Sequence, residues 1–172
     1  YNYEDINSLL ICNGWNYADA LSASSCPYPI LMVEGNLTPE QKVWLENQDI
    51  DTIYPIGGTA AVRDGTVRQI VDITGAEVKR LAGATRTETS VKVAEEFFQG
   101  DVDTAVITYS WNFPDGLVGG PIAYIKNAPL LLASNDDKTV KSYFTDHNVE
   151  HIIVMGGTAN ITDATARDIL GK

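Results

Sequence analysis

Short apolar runs alternate with amphipathic stretches along this chain, and the whole pattern occurs twice. Leu9 to Cys12 is an uninterrupted apolar run of strand length; a loop and a helical stretch follow, then a second run at Ile30 to Val33. Ala105 to Thr108 and Leu130 to Ala133 reproduce that order. Apolar runs without alternation predict strands buried on both faces. The next helix opens with Thr38-Pro39-Glu40-Gln41, which supplies an N-cap, a proline at the first helical position and a capping-box glutamine. A third strand, Thr52 to Ile56 or His151 to Met155, ends in Gly-Gly-Thr and leads to a helix starting near Asp64 or Thr162, both suitable caps. Strict alternation of strand and helix with short connections predicts an α/β fold with parallel sheets.

The duplication is visible residue by residue. Ile6 to Leu21, containing Trp15-Asn16-Tyr17-Ala18-Asp19, matches Val102 to Leu117, containing Trp111-Asn112-Phe113-Pro114-Asp115, 96 positions later. The second apolar runs are 100 positions apart, so the first helix of the first copy is shorter by four residues, about one turn. The expected division is a first repeat over 1–77 and a second over 78–172. A connector from Val78 to Ser90 appears once, followed by a helix to about Gln99 whose apolar face is Val91, Val93, Ala94, Phe97 and Phe98. Residues 1–5 read as the stump of an equivalent helix, so the chain is expected to begin partway through a repeat.

Charge changes this picture more than composition does. The 172 residues are 44% apolar, an ordinary globular mixture. Twenty-three acidic against twelve basic side chains leave a net charge of −11, a field that repels nucleic acid and anionic lipid. No apolar run reaches the ~18–20 residues of a membrane span. The opening residues lack the basic and apolar regions of a signal peptide, which leaves secretion open for a processed chain. Residues 1–74 carry −7 and residues 101–172 carry −4, whereas 75–100 balance four basic against four acidic groups. An anion-binding surface is therefore expected to involve the connector. Cys12 and Cys26 form no Cys-x-x-Cys pair and are expected as buried free thiols at opposite ends of a sheet.

Candidate chemistry collects in the duplicated loops, and each candidate has a structural and a functional reading. Asp19 and Asp115, at helix starts, suit backbone capping or a hydroxyl or cation contact. Trp15 and Trp111, with Asn16 and Asn112, follow strands at the sheet edge where open α/β sheets bind ligands; the indoles suit sugar stacking or a buried joint. Gly57-Gly58-Thr59 and Gly156-Gly157-Thr158 suit a tight turn or a cradle for an anion, although no nucleotide-binding glycine motif is present. Arg86, with Arg80, Lys79 and Lys92, suits phosphate recognition or ion pairing with Glu88, Glu95 or Asp19. His147 and His151 flank a turn, so helical metal-ligand spacing does not apply, and no nucleophile–base set is apparent.

Taken together, the Trp-Asn-x-x-Asp segments, the Pro-Ile/Leu-Leu and Gly-Gly-Thr strands, and Arg80-Leu81-Ala82-Gly83 followed by Arg86 and Thr89-Ser90 resemble the cell-wall-binding repeat (type 2) family of Gram-positive surface proteins. The resemblance covers nearly the whole chain. It implies tandem Rossmann-like, flavodoxin-like modules, three to a pseudo-trimer, and a secreted, wall-anchored protein with a separate effector domain. It also implies a binding module rather than an enzyme. The partner would be an anionic cell-wall glycopolymer, teichoic-acid-like or a secondary polysaccharide, met by Arg86, Arg80, Thr89, Ser90, Trp15, Asn16, Asp19, Trp111, Asn112, Asp115 and the two Gly-Gly-Thr loops. A further repeat or copies of the chain itself would complete the assembly. No cofactor or resident metal is expected, with divalent cations bridging carboxylates and phosphates left open. Two other readings stay open: a small α/β enzyme or phosphate-binding domain using the Gly-Gly-Thr loops, and a purely structural oligomerisation hub.

Overall fold

The computed structural model describes residues 6–135 and 138–172. The expected helix stump at 1–5 lies outside them. The first repeat comprises β1 (Ser8–Asn13), α1 (Tyr17–Ala23), β2 (Ile30–Val33), α2 (Pro39–Glu46), β3 (Thr52–Pro55), α3 (Asp64–Thr74) and the two-residue β4 (Glu77–Val78). The connector helix α4 (Arg86–Phe97) leads to β5 (Thr104–Tyr109), α5 (Pro114–Ile125), β6 (Leu130–Ala133), α6 (Lys138–Asp146), β7 (His151–Met155) and α7 (Asp163–Ile169). All strand pairings are parallel. The sheet orders are β2-β1-β3-β4 and β6-β5-β7, the start of a flavodoxin-like order met twice. The α1 helix has seven residues and its counterpart α5 has twelve, as the shift in repeat spacing requires.

Local sequence explains the boundaries. Thr38 caps α2 with both halves of the capping box in place, and Thr162 caps α7 through the Thr165 amide. The α3 helix departs from expectation: Arg63 takes the cap position without a side-chain bond, and Asp64 falls in the first turn, where its charge still favours the helix dipole. Gly75, in the left-handed conformation, ends α3.

The β1, β5 and β6 strands are buried on both faces, as their unbroken apolar runs predict, whereas β2 leaves Met32 exposed; along β1, period-two alternation sends neighbours to different cores. Leu9 and Ile11 enter an outer cluster with Leu45 of α2 and Val67 and Ile70 of α3. Leu10 and Cys12 enter a central cluster that also holds Val91, Val93 and Ala94 of α4 and Ala105, Ile107, Leu131 and Ala133 of the second sheet. A third cluster joins Ala18 and Leu21 of α1 to Val106, Leu130 and Leu132. Two of the three cores thus cross between repeats. Likewise β4, which straddles the expected division at 77/78, and Leu81 beyond it pair with β3 and Ile56 of the first sheet.

Interlocking also seals the open edge of the second sheet. The outward Leu130 N–H donates to Ser25 Oγ at 3.2 Å, and the Leu132 N–H to Ser90 Oγ at 3.0 Å. One hydroxyl comes from the first repeat and the other from α4. Together they cover an edge that otherwise invites foreign pairing. Both cysteines are free and buried. They are not separated by the sheet as expected; they share the central cluster, because α1 spans only two turns between them. Burial pushes both thiols above their usual range, which makes them poor nucleophiles.

Candidate functional site

Arg86 opens α4 and reaches across the joint between the repeats. Its Nη1 donates to the Ser110 carbonyl at 2.8 Å and to the Tyr17 hydroxyl at 3.1 Å. Its guanidinium lies over the Trp111 ring, 4.3 Å from the centroid. Trp111 is 65% exposed, so the indole forms a shelf rather than a plug. Beside this pair is an open groove of 620 Å³ between the carboxyl ends of β5 and β6 and the N-terminus of α4, lined by Thr85, Arg86, Thr87, Ser110, Ser134 and Lys138 among others. Of the acids weighed as partners for Arg86, Glu95 pairs with Lys92 at 2.7 Å and Glu88 accepts from the Ala84 amide at 2.8 Å. The groove therefore presents Arg86 and Lys138 against a single lining carboxylate among the described residues, Glu88, beside a helix N-terminus, in contrast to the acidic excess of the whole chain.

Other expected site residues fall elsewhere. Arg80 donates to the Gly57 carbonyl at 2.9 Å and pairs with Asp64 at 3.0 Å, so it pins the Gly-Gly-Thr loop. Thr89 and Ser90 are buried. Thr89 Oγ1 accepts from the Gly83 amide, and Ser90 Oγ serves the edge of β6. Ser90→Ala is accordingly expected to cost about 1–3 kcal/mol of stability, because the buried Leu132 N–H loses its acceptor. A urea melt measures that loss, and an unchanged melt would contradict the edge-sealing role.

The duplicated acids and glycines pair within each repeat. The Gly57 φ is +92° and the Gly156 φ is +104°, and a Cβ at either would collide with the carboxylate of Asp19 or Asp115 respectively. These carboxylates occupy the crevice between the first and third strands of each sheet, where doubly wound folds bind ligands. A phosphate cradled there would meet a negative group. Gly58, Thr59, Gly157 and Thr158 are exposed beyond it. Asp19 is not the cap of α1; Asn16 is, through the Ala18 amide at 3.3 Å. Asn112 accepts from the Phe113 amide at 3.0 Å.

The two copies differ in environment. Asp19 is 5% exposed, whereas Asp115 is half-buried. Burial lifts the Asp19 pKa from 3.8 to about 6, and the nearby Arg86 charge only partly opposes the rise. A carboxyl with a raised folded pKa contributes full stability below about pH 4 and loses it as pH climbs through about 6. Asp19→Asn is therefore expected to gain roughly 3 kcal/mol of unfolding free energy near pH 7, fading to nothing near pH 4. Urea melts at both pH values measure this, and equal stability near neutrality would refute it.

Trp15 is 81% exposed and borders an apolar hollow of 330 Å³ with Tyr17, Met32, Phe113 and Leu117. Tyr17 and Phe113 touch there, with ring centroids 5.3 Å apart. His147 stacks on Tyr143 and contacts the Gly100 carbonyl. His151 lies with Asp103 and Glu150, all exposed, at the amino ends of β5 and β7, away from the groove. Sequence reasoning missed Tyr17, Ser110 and Lys138. Tyr17 lay inside the quoted motif, but its approach to Arg86 spans 69 positions and leaves no local mark.

Comparisons with known proteins agree with this architecture. The N-acetylmuramoyl-L-alanine amidase LytC of Bacillus subtilis (strain 168) is 29% identical over 168 residues, covering 94% of this chain and 33% of that protein. The amidase enhancer of the same organism is 26% identical over 159 residues, covering 89% of this chain and 21% of that protein. Among solved structures, Cwp6 from Clostridium difficile superposes with a TM-score of 0.82 at 24% identity, over 98% of this chain and 28% of that one. Cwp8 from Clostridium difficile gives 0.80 at 20% identity, over 98% and 30%. The chain thus spans a third or less of each relative. The sequence profile described as Cell wall binding domain 2 (CWB2) matches residues 2–67 and 80–166, one block in each repeat. With that profile matched over most of its length and on the same doubled fold, the chain belongs to the cell wall binding domain 2 family.

Proposed function

We propose that this chain anchors a larger protein non-covalently at the cell surface by holding an anionic cell-wall glycopolymer, teichoic-acid-like or a secondary polysaccharide, along the Arg86–Trp111 groove. The observation that carries the reading is the guanidinium stacked on an exposed indole at 4.3 Å, in an open groove with Lys138 beside it. Arg86 has donors beyond Nη1 for a phosphate or carboxylate, and the indole face suits a sugar ring. One such groove binds weakly. Repetition along a polymer raises the effective concentration, so avidity does the anchoring.

Further modules belong to the same reading. The α1 helix of the first repeat buries one face against the second repeat, with Ala18 and Leu21 packed on Val106 and Leu130. Its counterpart α5 leaves Leu117, Val118 and Ile125 exposed, and Met32 on β2 is exposed where the matching Leu132 of β6 is sealed. Those faces fit a further repeat, in the same polypeptide or in another copy.

Co-sedimentation with purified Gram-positive walls tests the anchoring, using walls before and after acid extraction of phosphate polymers and with chelator in a parallel arm. Binding to intact walls, its loss on extraction and indifference to chelator are expected. Equal sedimentation with extracted walls would overturn the polymer reading, and loss with chelator alone would shift recognition to cation bridges between carboxylates and phosphates.

A further inference from the structure

The crevice between the carboxyl ends of β5 and β7 is open, and it gathers polar groups without partners among the described residues. The half-buried Asp115 carboxylate has neither a hydrogen bond nor an ion pair there. Gly156, exposed and with a φ of +104°, lies against its Oδ2. The first turn of α5 carries no side-chain cap: Pro114 lacks an N–H, Asn112 Oδ1 serves the Phe113 amide, and the Asp115 and Gly116 amides have no acceptor among the described residues. Beneath that turn lies Thr108, fully buried, whose Oγ1 has no partner. Thr108 Cγ2 is 3.3 Å from where a Cβ on Gly116 would stand, and Thr108 is in register with Met155, the residue before Gly156. Folded proteins rarely leave a buried hydroxyl unpaired. The first repeat shows the same crevice closed: Gly57 is buried, Asp19 is 5% exposed, and Cys12, whose thiol makes little demand for a partner, stands where Thr108 does.

We propose that this crevice of the second repeat is a further subsite of the polymer and takes a neutral sugar ring by its hydroxyls. This rests on the reading that the chain holds a glycopolymer. The groups present select the ligand class. The Asp115 carboxylate repels a phosphate or carboxylate, and the uncapped helix N-terminus disfavours a cation. A hydroxyl both accepts and donates, so one oxygen can accept from the Gly116 amide or the Thr108 hydroxyl and donate to Asp115. Asp115 is only half-buried, so it can swing outward and admit that oxygen above Thr108. The crevice and the Arg86 groove are neighbours in the chain: β5 ends at Tyr109, Ser110 and Trp111 line the groove, and α5 with Asp115 follows directly. A polymer that alternates charged and neutral units meets the groove with one and the crevice with the other.

Amide NMR spectra of the intact chain test this, with methyl glucoside and methyl N-acetylglucosaminide as neutral probes and inorganic phosphate and magnesium in parallel arms. At least one glycoside is expected to move the Asp115 and Gly116 amide signals saturably, and phosphate and magnesium are expected to leave them in place. Asp115→Ala is expected to weaken glycoside binding several-fold. Thr108→Val, which keeps the shape and removes the hydroxyl, is expected to weaken it a few-fold while melting no lower than wild type, because it removes an unpaired buried group. No saturable shift with either glycoside, shifts of these amides by phosphate or magnesium instead, or unchanged glycoside binding by both variants overturns the subsite. A Thr108→Val melt below wild type shows the hydroxyl satisfied within the fold and overturns its part in the site. A glycerol-phosphodiester oligomer, read at the Trp111 indole signal, tests the groove separately. An indole response without a glycoside response at α5 leaves the groove reading standing and the subsite refuted; the converse refutes the groove and keeps the subsite.

Discussion

Arg86→Ala is expected to lower the chain's affinity for wall polymer by about 10- to 100-fold, the loss of one or two charge-assisted hydrogen bonds worth ~1.5–3 kcal/mol together with the cation on the indole shelf. Arg86→Lys keeps the charge but loses the planar fork and the stacking on Trp111, so it should recover only part of that loss. Co-sedimentation over a range of wall concentrations reads the affinity, and a thermal melt accompanies each variant. The melt matters because Arg86 Nη1 also ties Tyr17 to the Ser110 carbonyl across the repeat joint. Loss of binding with an unchanged melt places the effect in recognition. Full rescue by lysine would show that simple charge, and not the stacked geometry, does the work. Wild-type binding by Arg86→Ala would remove the groove from the mechanism.

Gly57→Ala is expected to destabilise the fold by about 3 kcal/mol or more, well beyond the same change at Gly156. Both glycines have positive φ, so alanine strains the backbone at either position. The difference lies in what the new methyl meets. At position 57 the Cβ would stand 2.5 Å from Asp19 Oδ2 and 3.1 Å from Ala61 Cβ, and Asp19 is walled in on every side. At position 156 the obstacle is Asp115, a half-buried side chain that can swing toward solvent. There the cost should stay near the backbone strain of about 1–2 kcal/mol. Urea melts of both variants decide the matter, and equal losses would mean that the crevice around Asp19 yields as readily as its exposed counterpart.

Much of the architecture was legible in the residues because it is encoded locally. Leu9 to Cys12 and Leu130 to Ala133 announce doubly buried strands by composition alone. Thr38-Pro39-Glu40-Gln41 announces a helix start through bonds spanning three positions. The extra turn of α5 is countable as a shift in repeat spacing. The candidate site was legible only in part. Arg86 and Trp111 were singled out and do meet, but Thr89 and Ser90, in the same motif, turn inward. Ser90 meets the Leu132 amide 42 positions away, and nothing near Ser90 in sequence says that an unpaired strand edge will need a hydroxyl there. Arg80 looked like an anion ligand for the same reason: its charge is local information, and its engagement by Asp64 and Gly57 is not.

The amino-acid order alone established the repeated strand–helix alternation, the parallel sheets and the neutral connector in an acidic chain, because periodicity, capping and charge are properties of neighbouring residues. Tertiary packing decided which polar groups remain available. It buried Asp19 but left Asp115 half-open, although the two share a motif, because the first repeat's helix α1 is enclosed by the second repeat whereas the matching face of α5 is exposed. Exposure, and with it ionisation and access to a ligand, depends on what else arrives at a surface, and that is settled by contacts between residues far apart in the chain.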